Sequence, residues 1–237
     1  MTRQKSSSPN QRRFYLLLVG VGSLAAVTVA FLAWLSETGV GGGTVLEGGA
    51  EAQELLAGIP QSGTTLGEED APVTILLYED FQCPACAQFL RETFPDLVER
   101  HVEPGEVRVV SQTLAFLGPA SISTGRAALA AGQQDRYWNY AALLFLNQGP
   151  ENSGYATDEF LMDLANETRG LNVDRWNKAR TSGSVESELE AVESRARADE
   201  VSSTPTLVVS GPGGERKLVG AVPIDEVETA IEEVGAS

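Results

Sequence analysis

Cysteine and histidine are nearly missing from this chain, whose 237 residues include two cysteines and a single histidine, His101. So few cysteines exclude a disulfide-stapled miniprotein, and the length allows a sizeable apolar core instead. A tetrahedral metal site would need two more ligands beside the two thiolates. His101 lies beyond the helix expected to start at Cys83, so no metal or other cofactor is expected. Positive charge is scarce as well: 17 Lys and Arg stand against 33 Asp and Glu, a formal net charge of −16. Arg3, Lys5, Arg12 and Arg13 fall in the first 13 residues, which leaves only 13 basic residues for the rest of the chain. A body this acidic repels phosphate backbones and excludes nucleic acid as a partner, and most of its charge reads as a solvated surface.

What the chain does have, right after the basic segment 1–13, is "FYLLLVGVGSLAAVTVAFLAWL", residues 14–35 without a charge. At about 1.5 Å per residue this run gives roughly 33 Å of helix, enough to cross a bilayer. A signal peptide is the rival reading, but its apolar region is shorter, and "AWLSETG" offers no small-x-small cleavage site. A transmembrane anchor is therefore expected at 14–35. Basic residues stay cytoplasmic, which predicts a single-pass cell-membrane protein with everything after Ser36 extracytoplasmic, where disulfides persist. "ETGVGGGTVLEGGA" reads as a Gly-rich tether, the linker spanning 36–64, with a helical turn or two in "EAQELLAGI".

The main domain, 65–234, alternates two kinds of pattern. "APVTILLYED" predicts a buried strand from about Val73 to Tyr78, followed directly by a helix from about Pro84 to Arg100. "GEVRVVSQTL" predicts a second strand, completing a strand, helix, strand unit and hence a partly parallel sheet. From about 118 to 200 every segment has apolar residues at three- and four-residue spacing, an all-helical insertion. "TLVVS" and "RKLVG" flank the turn "GPGGE" as a hairpin, and "PIDEVETAIEEV" closes as an amphipathic helix with Pro223 at its start. Trp138 and Trp176 lie on helical stripes and are expected in the core. Asn166 matches a glycosylation sequon but falls on a helix.

Both cysteines lie in "YEDFQCPACAQF". A disulfide across two residues closes a loop too short to contribute much stability by chain entropy, and a cysteine before Pro84 at a helix start is not an inert core residue. A redox pair accounts for the neighbours. Cys83 at a helix N-terminus faces unpaired N–H groups and the positive end of the dipole, which stabilises its thiolate. Pro84 suits the first turn, and the spacing returns Cys86 beneath Cys83 as the resolving thiol.

The combination of "VTILLYEDFQCPACAQF", a helical block and "SSTPTLVVS" resembles the DsbA-like branch of the thioredoxin superfamily over roughly residues 65–234. The resemblance implies an α/β thioredoxin fold with a helical insertion, and a cis peptide before Pro205, facing the cysteines. It also implies that the Thr204 backbone pairs with an extended substrate peptide, and that Phe81, Pro84, Thr204 and Pro205 shape an apolar peptide-binding surface. Two positions depart from the family. Leu77 stands six residues before Cys83, where a buried acid often takes the proton of the resolving thiol; Glu79 and Asp80 nearby are expected to be solvated or to cap the helix. Between the cysteines, Ala85 adds no tuning side chain.

The activity implied is that of an extracytoplasmic thiol:disulfide oxidoreductase, introducing disulfides into secreted or envelope proteins and reoxidised by a membrane quinone-linked oxidase. Two alternatives remain open on the sequence: a reductase or isomerase using the same cysteines, and a tethered partner-binding module in which they are incidental.

Overall fold

The computed structural model describes residues 46–236. The basic segment 1–13, the apolar run 14–35 and the start of the tether lie outside the described residues, and among those described no helix is long and apolar enough to cross a membrane.

Val73–Glu79 (β3) is β-branched and apolar on both faces, so it serves as a central strand buried on both sides. Val107–Thr113 (β4) runs parallel to it, with Leu77 opposite Ser111 and Glu79 opposite Thr113. Thr206–Gly211 (β5) runs antiparallel on its other side, pairing Tyr78 with Thr206. Gly214–Val219 (β6), highly exposed and charged, forms one edge. The other edge is a small hairpin of Gln61–Ser62 (β1) and Thr65–Leu66 (β2), giving the order β1-β2-β4-β3-β5-β6. Side-chain alternation divides the core. Ile75, Leu77, Val109, Leu207 and Val209 join the larger apolar cluster with Cys86, while Tyr78 and Val208 meet Val192 and Ala196 on the opposite face.

Among the described residues, part of the linker expected over 36–64 is folded. Gly49–Leu55 (α1) is folded, and Ala52, Gln53, Leu56 and Ile59 are buried. Gln53 exchanges hydrogen bonds with Asn139, 86 residues on, and so docks this segment to a distant helix. The helix expected over 84–100 is broken. Pro84–Glu92 (α2) ends at Thr93, Phe94–Leu97 (α3) restarts it, and Val98–Val102 widens into a π-helical turn. Pro95 has no N–H to continue the ladder, and its ring clashes with the carbonyl four residues back. Thr93 uses its hydroxyl to donate to Val222 O at 2.8 Å instead. His101 lies in the π turn between Glu106 and Glu228.

Five helices fill the insertion: Pro119–Gly132 (α4), Tyr137–Leu146 (α5), Asp158–Glu167 (α6), Val173–Ala179 (α7) and Gly183–Ala198 (α8). Thr157 and Asn172 cap α6 and α7 by accepting from backbone N–H groups. Trp138 and Trp176 are buried, donating to Thr64 O and Ala127 O. Ile224–Gly235 (α9) follows Pro223, which is its N-cap, and packs against β5, β6 and α3.

Candidate active site

The two parallel strands end together, and β3 runs straight into the turn 80–83, so the start of α2 sits where open α/β sheets place their chemistry. Cys83 is the N-cap of α2, extended at φ −74° and ψ 117°, with Pro84 in the first turn. The turn is closed by Cys83 N donating to Asp80 O at 2.9 Å, and the helix begins with Ala87 N donating to Cys83 O at 3.2 Å. Cys83 is 8% exposed and Cys86 is fully buried. Both are free thiols, so this is the reduced pair.

Their environments push the two sulfurs apart. The Cys86 thiol, by donating to Sγ, contributes most to lowering Cys83 to about 5, against the cost of burial; the Thr204 hydroxyl and the N–H groups of Cys86 and Ala85 add to it. In the thiol form Sγ also donates to the Thr204 carbonyl at 3.3 Å. Burial holds Cys86 far above the ordinary thiol range, and its role as donor to Cys83 raises it further. Near neutral pH the pair therefore carries one charge, on the sulfur nearer the surface.

Of the remaining residues named from sequence, Pro84 is exposed, Thr204 is half-buried beside Cys83, and Pro205 is buried. The Thr204–Pro205 peptide is cis. Phe81 is the exception. It is 1% exposed, with its ring 4.8 Å from that of Phe145, so it belongs to the core and cannot form part of a peptide-binding surface. Its place next to the cysteines in sequence says nothing about which way its ring turns.

Glu79 and Asp80 are not solvated but fully buried. Leu77 and Glu79 share a face of β3, so the carboxyl lies one strand repeat beyond the position where an acid was expected. Glu79 Oε1 accepts from Ser111 Oγ at 2.7 Å and Tyr137 OH at 2.9 Å, whereas Oε2 is buried without a partner. Desolvation pushes its pKa up to about 7 despite these donors. Asp80 has all four donors it needs: Gln82 N and Ser121 Oγ reach Oδ1, and Phe116 N and Leu117 N reach Oδ2. It ties the loop after β4 to the cysteine turn.

Sequence reasoning missed a ring of residues from the insertion. Gln82 Nε2 donates to Leu117 O and Ser121 Oγ, while its Oε1 accepts from Asn152 N. Gln148 Nε2 donates to Phe81 O and Cys83 O, and Tyr155 OH donates to Phe81 O. Gly118 permits this close fit: its φ is +114°, and a Cβ there would fall 2.7 Å from Asn152 Oδ1. Nothing in the local sequence marks Gln148, whose partners lie 65 and 67 residues away.

A two-cysteine helix start facing a cis proline at the end of such a sheet defines a thioredoxin-type thiol–disulfide oxidoreductase. A family profile described as thioredoxin matches residues 61–233, and the chain belongs to that family. A probable disulfide bond formation protein D of Bacillus cereus is 26% identical over 150 residues, covering 62% of this chain and 69% of that one. Oxidised BdbD of Bacillus subtilis has a similar fold, with a TM-score of 0.65 at 23% identity over 74% of this chain and 96% of that one. A Na(+)/H(+) antiporter of Salinispora arenicola is 31% identical over 184 residues, which cover 73% of this chain and 24% of the antiporter.

Proposed function

We propose that the protein is a membrane-tethered extracytoplasmic dithiol oxidase that introduces disulfides into secreted or envelope proteins. The observation that carries this reading is the asymmetry of the pair: a Cys83 sulfur lowered to about 5 stabilises the reduced form and leaves readily when the substrate disulfide closes, while buried Cys86 is held as the thiol. A substrate thiolate attacks Sγ of Cys83 in the Cys83–Cys86 disulfide, and Cys86 leaves and takes up a proton. A second substrate thiolate then attacks the substrate sulfur of the mixed disulfide and expels Cys83 as a thiolate. The substrate has lost two electrons, which now reside in the dithiol. A quinone-linked membrane oxidase is the partner that would remove them.

The mouth suits extended apolar polypeptide. The large apolar side chains most exposed among the described residues are Phe116, Ile122 and Val219. Phe116 is held by Asp80, Ile122 follows Ser121, which Asp80 also holds, and Val219 pairs with Thr206 next to Pro205. The membrane placement draws support from the uncharged run 14–35 behind four basic residues, and from a domain like this one forming part of a longer antiporter chain.

The test is to measure the reduction potential of the purified domain and its oxidation of a reduced unfolded protein. The expected result is a potential well above that of thioredoxin and loss of activity in Cys83→Ser. A thioredoxin-like potential would favour a reductase, and an active Cys83→Ser would favour a binding module. Protease treatment of intact cells tests the orientation: the domain after Ser36 is expected to be cleaved.

A further inference from the structure

We propose that Gln148 is a positioning residue through which the helical insertion sets the reactivity of Cys83. This rests on Cys83 being the nucleophilic sulfur. The Cys83–Pro84 peptide has no N–H, so its carbonyl is its only hydrogen-bonding group. That carbonyl accepts from Ala87 N at 3.2 Å and from Gln148 Nε2 at 3.1 Å, and the same amide nitrogen donates to Phe81 O at 2.8 Å. One side chain just beyond α5 therefore holds two peptide planes, one on each side of the Gln82–Cys83 peptide. The plane after Cys83 is set by its ψ of 117°, which also determines whether the N–H groups of Ala85 and Cys86 converge on Sγ.

The amide acts a second way. Two carbonyl oxygens next to a thiolate-bearing residue are negative dipole ends, and the Gln148 N–H partly neutralises both in a site with little water. Loss of the donor leaves the Cys83 carbonyl to Ala87 N alone and the Phe81 carbonyl to Tyr155, which loosens the plane and restores part of the negative field. Both effects destabilise the thiolate and with it the reduced pair. Tyr155 cannot take over, because its hydroxyl reaches Phe81 O only.

The experiment compares the parent protein with Gln148→Met, which keeps the length without the donor, and Gln148→Glu, which replaces the donor by acceptor oxygens. Asn172→Ala serves as a control that loses only the cap of α7. For each, the ultraviolet absorbance of the thiolate is titrated against pH, and the redox equilibrium with glutathione and the Tm are measured. Gln148→Met is expected to raise the Cys83 pKa by up to about one unit and to shift the glutathione equilibrium up to about tenfold toward the disulfide. Gln148→Glu should move both values the same way and further, while Asn172→Ala lowers Tm and moves neither. Unchanged pKa and equilibrium in both Gln148 variants, with only Tm lowered, would overturn the proposal. An ordinary thiol pKa for Cys83 in the parent protein would overturn the nucleophile assignment, and this inference with it.

Discussion

Cys83 and Cys86 are the same residue type three positions apart, and their difference comes from burial and from which donors reach each sulfur. That much could be read in the sequence, because a helix start and a following proline are local features. The consequence is a pH-dependent difference in stability between the two redox forms. A depressed pKa contributes stability fully present above the unfolded thiol value and lost as pH falls through about 5. At pH 7 the reduced domain is expected to exceed the oxidised one by ~1–2 kcal/mol, after allowance for solvent screening at the site, and the gap should shrink toward pH 5. Denaturant unfolding of both forms across that range measures it. Glu79 behaves oppositely, because its folded pKa is raised. Its stabilising contribution is full below about 4.5 and is lost as pH rises through about 7. Glu79→Gln should therefore flatten the pH profile of stability and be the more stable form at pH 8, by about 2–3 kcal/mol, in paired melts. The burial of Glu79 could not be read locally, since it requires Ser111 and Tyr137 from other elements to surround the carboxyl.

At the scale of elements, β3, β4 and β5 were legible as short β-branched, apolar runs bounded by turn or acidic residues, and the insertion helices because each carries a sustained three- and four-residue period. The β1–β2 hairpin was not, because strands of two residues have no period and are held only by pairing to β4. The break at Thr93 has its signal in Pro95, but the apolar spacing continues across it and masks the interruption. Asp80 shows how elements are joined at the site: one buried carboxylate holds the cysteine turn, the loop after β4 and the first turn of α4. Asp80→Ala leaves four donors without their acceptor and is expected to lower stability by about 3 kcal/mol or more. Because Phe116 is released, oxidation of an unfolded protein substrate should slow more than oxidation of a small dithiol. A variant that slows both equally would place the loop outside the substrate surface.

Over the whole molecule the net charge of −16 sets long-range behaviour that no single contact reveals. The basic residues that offset it most densely are in segment 1–13, so the rest of the chain carries the acidic excess undiluted. Encounter rates of such a body depend on the sign of the reactant and on screening, with a Debye length near ~10 Å at 0.1 M salt. The reduced domain attacking an anionic disulfide such as oxidised glutathione should react several-fold faster as salt rises from low to physiological levels. With a cationic disulfide such as cystamine the dependence should reverse, although the chemistry at Cys83 is the same in both. Stopped-flow rates at fixed pH separate this from any change in thiolate population, because the Cys83 titration measured at each salt concentration corrects for it. If both disulfides show the same slope with salt, the acidity acts on solubility alone and the field does not reach the mouth of the site. Opposite slopes would mean that substrates whose cysteines are flanked by basic residues are captured faster, a preference set by the surface as a whole rather than by the residues that line the cleft.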